Sequence, residues 1–114
     1  MAKPVVLIVD DEKSARDGLV RALRREYNVF AAENGASALE ILSSQKIDVL
    51  LSDVRMPGMD GITLMQRALL KNPGLTVLIL TAYGDVELAV DAMKHGATDF
   101  MTKPINLDKL ELVL

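Results

Sequence analysis

Five short apolar runs alternate along the chain with stretches whose apolar residues recur at helical spacing. The runs cover residues 5–9, 28–31, 48–52, 76–80 and 98–101. The first, third and fourth are rich in Val, Ile and Leu and barely alternate with polar residues. Unbroken runs of this kind belong to strands buried on both faces, as in a parallel sheet. The second and fifth are weaker and predict more exposed strands.

The intervening stretches read as amphipathic helices. Ala15, Leu19, Ala22 and Leu23 share one face of the first, while Lys13, Arg16, Asp17, Arg21 and Arg24 lie elsewhere. Residues 36–43 repeat the pattern with Ala38, Leu39 and Leu42, and residues 62–71 with Ile62, Met65 and Leu69. The clearest stripe is Val86, Ala89, Val90 and Met93, at i, i+3, i+4 and i+7. Asp85 is placed to cap that helix and Gly96 to end it. Asp11, Asp60 and Asn106 are placed to cap the first, third and last helices.

A βα rhythm repeated five times calls for a parallel sheet with helices on both faces, an α/β doubly wound domain. The expected strand order is 2-1-3-4-5. Residues 1–114 read as one domain. The last helix has only two turns before Leu114, short of the ~11–12 residues of a mean helix. It is therefore expected to be truncated, with any output domain absent.

Composition narrows the function classes. The net charge of −3 argues against a nucleic-acid footprint, which needs a basic surplus. The absence of cysteine excludes disulfides, thiolate catalysis and Cys-based zinc sites. No apolar run approaches the ~18 residues of a membrane span. Two aspartates follow the first apolar run at once, unlike a signal peptide. A cytoplasmic protein is expected. His95, the single histidine, suits a helix C-terminus and is not expected to bind metal.

In an open parallel sheet, ligands sit outside the carboxyl ends of the strands. Those ends carry Asp10 and Asp11 on strand 1, Asp53 on strand 3, Thr81 on strand 4 and Lys103 on strand 5. In the expected order these strands are neighbours, so their polar ends converge. Three carboxylates in one crevice need a compensating charge, and oxygen ligands suit Mg²⁺. A lysine and a hydroxyl beside them complete a site suited to phosphoryl transfer, which depends on positioning and charge neutralisation. An aspartate can itself be the nucleophile. Val54-Arg55-Met56-Pro57-Gly58-Met59-Asp60-Gly61 then reads as a tight loop.

Asp10-Asp11, Asp53 with the loop up to Gly61, Thr81-Ala82 and Lys103-Pro104 together resemble the receiver domain of two-component response regulators. The likeness spans essentially the whole chain and implies the flavodoxin-like receiver fold. It implies that Asp53 is the phosphoacceptor, charged by a phosphohistidine on a sensor histidine kinase. Asp11, Asp53 and the backbone carbonyl of Arg55 would hold Mg²⁺, with Asp10 contributing mainly through water. Thr81 and Lys103 would contact the phosphoryl oxygens, and Thr81 and Phe100 would form the switch. Where many members carry Tyr, this chain has Phe100, so signalling would rest on packing alone. Lys103-Pro104 matches the family's cis peptide. The resemblance further implies a rearranged α4-β5-α5 surface, homodimerisation on phosphorylation and control of an output, with transcription expected. The segments 81–85 and 97–104 look most like receivers of the nitrogen-regulatory and dicarboxylate-transport subfamily, usually joined to sigma-54 activators. Arg16, Arg21, Arg24 and Arg25 form either a kinase-docking face or a plain solvated one.

Three rivals differ in class. A haloacid-dehalogenase-like phosphatase needs D-x-D after its first strand, whereas Asp10-Asp11 are adjacent. A nucleotide-binding module needs G-x-G-x-x-G or G-x-x-x-x-G-K-[ST], and neither occurs. A phosphate-independent interaction module would not need the complete acidic set. A receiver phosphorylates and dephosphorylates only itself, so conventional enzyme activity is not expected.

Overall fold

The computed structural model describes residues 3–82 and 84–114; Met1, Ala2 and Tyr83, the last within a subfamily-like segment, lie outside the described residues. Five strands and five helices alternate: β1 Val5–Val9, α1 Lys13–Leu23, β2 Asn28–Ala32, α2 Gly35–Ser44, β3 Val49–Asp53, α3 Gly61–Lys71, β4 Thr76–Thr81, α4 Val86–Lys94, β5 Asp99–Thr102 and α5 Leu107–Val113. All strand pairs are parallel, and the sheet order is β2-β1-β3-β4-β5, as expected. Strands 2, 3, 4 and 5 each end one residue later than the apolar runs suggest. Asp53 and Thr81 stay in register with Leu80 and Thr102 although their side chains are polar.

Side-chain alternation splits the core into two layers. Leu7, Val9, Leu50, Val77 and Ile79 face α2, α3 and α4. Val6, Ile8, Leu51, Leu78 and Leu80 face α1 and α5, where they meet Leu19, Leu23 and Leu110. β3 is buried along its whole length, which explains its unbroken apolar run.

Two helix faces differ from expectation. In α1, Leu19 and Leu23 are buried but Ala22 is exposed. In α4, Ala89 is the one residue of the apolar stripe that is buried. Val86, Val90 and Met93 are 66%, 46% and 41% exposed, while Ala89 and Ala92 are buried and Leu88 half-buried. The buried face lies about 100° round the helix from the stripe, roughly one residue's rotation. Alanines let the α4 backbone approach the sheet closely, and the bulkier stripe is left at the surface.

Capping also sorts unevenly. Asp60 accepts from Thr63 N–H at 2.8 Å and Asn106 from Lys109 N–H at 3.2 Å, as expected. Gly96, at φ +113°, follows the end of α4. Asp11 does not cap α1; Glu12 holds that position without a side-chain bond. Asp85 occupies the N-cap position of α4, yet its carboxylate accepts no helix N–H.

Gly61 fixes α3 against the end of β3. A Cβ there would collide with the Asp53 carbonyl oxygen and come within 2.9 Å of Val54 Cα, neither of which can swing aside. Gly18 has nothing within 4 Å of its notional Cβ and lies inside α1. Gly61→Ala is therefore expected to destabilise the fold by about 1–3 kcal/mol. Gly18→Ala should stabilise it by about 0.5–1 kcal/mol through helix propensity. Urea unfolding midpoints check both signs, and equal effects would contradict this packing.

Candidate functional site

The sheet register builds the site. Val9 pairs with Ser52, so Asp10 comes level with Asp53 at the ends of β1 and β3. Asp53 pairs with Leu80, which sets Thr81 one step further along β4. Thr102 pairs with Thr81, and Lys103 follows directly. Parallel strands thus deliver residues 43 to 93 positions from Asp10 onto one edge of the sheet. The converging side chains are Asp10, Asp11, Asp53 and Lys103, as the sequence pattern predicts.

Lys103 Nζ stands 3.1 Å from Asp10 Oδ2 and 3.0 Å from Asp53 Oδ2. Asp10 is fully buried, Asp53 is 9% exposed, and Asp11 opens to solvent. One carboxylate oxygen from each of the three aspartates lies within 4.8 Å of the others. Three carboxylates against one ammonium leave a formal excess of two negative charges. The donor set is all oxygen and partly open, which is the chemistry of a hard divalent cation site.

Burial pushes the Asp53 carboxyl above its ordinary value, reinforced by the charge of Asp10 and opposed by the hydrogen bond from Lys103. For Lys103, burial pulls the ammonium down, but its bonds to Asp53 and Asp10 outweigh that and hold it above the ordinary lysine value. The lysine therefore stays charged. The peptide between Lys103 and Pro104 is cis.

The β1–α1 turn is held from two sides. Asp10 Oδ1 accepts the Glu12 N–H at 2.9 Å, and Arg16 donates to the Asp10 carbonyl at 2.8 Å. Arg16 is thus tied to the site, whereas Arg21, Arg24 and Arg25 remain exposed. Only part of the expected arginine face is free.

Thr81 is almost fully buried, and its hydroxyl donates to the Met101 carbonyl of β5 at 3.4 Å. It does not reach the carboxylates by hydrogen bond. Phe100, on β5, is 38% exposed with its neighbour Met101 buried. His95, the single histidine, has Nδ1 2.8 Å from the Asp91 carbonyl at the end of α4.

One contact has no counterpart in the sequence pattern. Arg55, two residues beyond Asp53, donates from Nε to Asp85 Oδ2 at 3.1 Å and from its terminal nitrogen to Asp85 Oδ1 at 3.4 Å. The pair joins the β3–α3 loop to the start of α4. It also explains why Asp85 fails as a cap. The two residues stand 30 positions apart, and local spacing carries no signal for such a pair.

Among the described residues, no helix is long and apolar enough to cross a membrane. A family model described as "Response regulator receiver domain" matches residues 6–114. The chain is 44% identical over 110 residues to the DNA-binding transcriptional regulator NtrC of Escherichia coli K12, covering 96% of this chain and 24% of that protein. It is 44% identical over 111 residues to the transcriptional regulatory protein ZraR of the same strain, covering 96% and 25%. It therefore spans about a quarter of the length of these relatives. A response regulator receiver domain protein from Clostridium thermocellum superposes with a TM-score of 0.92 at 28% identity, covering 96% of this chain and 90% of that one. Strand order, acidic edge and family match agree over the same residues, and the chain belongs to the response regulator receiver domains, with the signalling role that this family carries.

Proposed function

We propose that Asp53 accepts a phosphoryl group from a phosphohistidine of a sensor histidine kinase, and that this charge switches the surface formed by α4, β5 and α5. The observation that carries the reading is the bridge that half-buried Lys103 makes between the buried Asp10 and Asp53, beside a third carboxylate at the ends of neighbouring parallel strands. In the transfer, an Asp53 oxygen forms a bond to phosphorus as the phosphorus–nitrogen bond breaks, and the imidazole leaves with that electron pair. Asp10, Asp11, Asp53 and the Arg55 carbonyl would hold Mg²⁺. Bound there, the ion neutralises charge on the transferring oxygens. Lys103, whose Nζ lies 3.0 Å from Asp53 Oδ2, would pair with a phosphoryl oxygen on Asp53.

Thr81 and Phe100 convert the added charge into movement. A phosphoryl group brings roughly −1.5 to −2 charges. The Thr81 hydroxyl gives up its 3.4 Å bond to Met101 and turns to a phosphoryl oxygen. The Phe100 ring moves into the space this opens. The exposed apolar residues Val86, Val90 and Met93, with Phe100, then present a changed face. That face suits a homodimer partner or an output domain, with transcription as the output by analogy with NtrC and ZraR. The docking side for the kinase is the groove between α1 and the segment after β5, lined by Ala15, Leu19, Pro104 and Ile105. The setting is the cytoplasm, and the chain acts on no substrate but itself.

Incubation with acetyl phosphate should add one phosphoryl group by intact mass, only with Mg²⁺ present and never in Asp53→Asn. A parent protein that binds Mg²⁺ but forms neither this adduct nor a beryllofluoride complex would rule the switch out. Mg²⁺ alone should stabilise the fold, by about 2.7 kcal/mol at a hundredfold excess over Kd. Asp11→Ala should lose most of that gain in thermal melts; an undiminished response would remove Asp11 from the ion's ligands.

A further inference from the structure

The start of α4 is pulled in two directions. Asp85 stands at its N-cap position, where an aspartate normally accepts a helix N–H. Here both its oxygens are turned to the guanidinium of Arg55, at 3.1 and 3.4 Å. Every other polar N-cap residue except Glu12 caps its own helix: Asn34 accepts from Ser37, Asp60 from Thr63 and Asn106 from Lys109. Of the two helices without a side-chain cap, α4 is the one with exposed apolar residues, Val86 and Val90, along its outer face. The residue that withholds the cap belongs to the loop leaving Asp53, two positions from the carboxylate.

We infer that Arg55 is a latch, holding Asp85 off the α4 N-cap until negative charge on Asp53 competes for its guanidinium. This rests on the reading of Asp53 as phosphoacceptor. Asp85 is one carboxylate with two mutually exclusive partners. Paired with Arg55, it ties the first turn of α4 to the β3–α3 loop and leaves the helix amides without a side-chain acceptor. Released, it can turn to the amides of Glu87 and Leu88. An exposed ion pair is weak enough to be exchanged for a cap of similar strength. A phosphoryl group near the guanidinium offers a more highly charged acceptor than Asp85 does. The latch thereby converts charge at the sheet edge into order at the start of α4, by a route separate from Thr81 and Phe100.

Amide hydrogen exchange on this chain in Mg²⁺ separates the latch from a simple ion pair. Arg55→Ala frees Asp85 to cap, so the Glu87 and Leu88 amides should exchange roughly fivefold more slowly than in the parent, the protection one cap gives. Asp85→Ala has neither latch nor cap and should show no slowing. If both variants speed exchange at those amides, the pair merely stabilises α4 and the latch is overturned. Beryllofluoride with Mg²⁺, its binding read independently by fluorine NMR, should bring the parent's exchange at these amides to the Arg55→Ala value and leave Arg55→Ala unchanged. Bound beryllofluoride without that slowing overturns the coupling to Asp53. Absence of a bound fluorine signal would instead count against the phosphoacceptor reading, and the latch would be decided by the two variants alone.

Discussion

A single ammonium holds the working edge of this domain together. Lys103 Nζ lies within 3.1 Å of carboxylates on β1 and β3, and it reaches them from the end of β5. Without it, Asp10 and Asp53 would stand buried side by side with no positive charge to balance them, a costly arrangement in a low dielectric. The bridge balances only part of the charge, because Asp11 adds a third carboxylate at the solvent side. The edge is thus stable enough to fold and still short of positive charge. A hard divalent cation is the kind of charge that would offset this shortfall.

This constraint explains much of the architecture. Three strands must end level, so the parallel register is fixed as much by the polar edge as by the apolar core. The loop leaving Asp53 must turn sharply, and Gly61 packs against the Asp53 carbonyl where no side chain fits. Arg16 and the Glu12 amide secure the opposite wall through the carbonyl and carboxylate of Asp10. The acidic residues are therefore held by backbone and neighbouring elements on both sides. Pre-positioning of this kind is what phosphoryl chemistry demands of a protein.

Asp10, Asp53 and Lys103 could be located from sequence because each is the first charged residue after an apolar strand, and parallel strands bring such ends to one edge. The two-layer core was equally legible from runs too apolar to be half-exposed. What escaped were choices between local and distant partners. Asp85 satisfies every local rule for a helix cap, but Arg55, thirty residues away, takes its carboxylate. The α4 stripe obeys helical periodicity, yet packing selected Ala89 and Ala92 because small side chains permit closer approach to the sheet. Periodicity records which residues are apolar; it does not record which face geometry allows to come near. Asp11, likewise a plausible cap, is left with its carboxylate among the acidic cluster instead.

The departures at Asp85 and at the apolar stripe fall on the same helix, and that has a physical consequence. α3 starts from the same loop but is capped by Asp60, jammed against Asp53 at Gly61 and anchored by buried Leu64, Met65 and Ala68. α4 is uncapped and anchored chiefly by two alanines, with much of its apolar surface outward. A complete reversal of a 1:99 equilibrium takes about 5.5 kcal/mol. Displacing α3 would sacrifice buried leucine and methionine contacts, each worth about 1.5–3 kcal/mol, in addition to that requirement. Displacing α4 sacrifices little and can recover a cap. On the proposed role of Asp53, added charge there would act at the start of both helices, and α4 is the one whose displacement would cost few buried contacts.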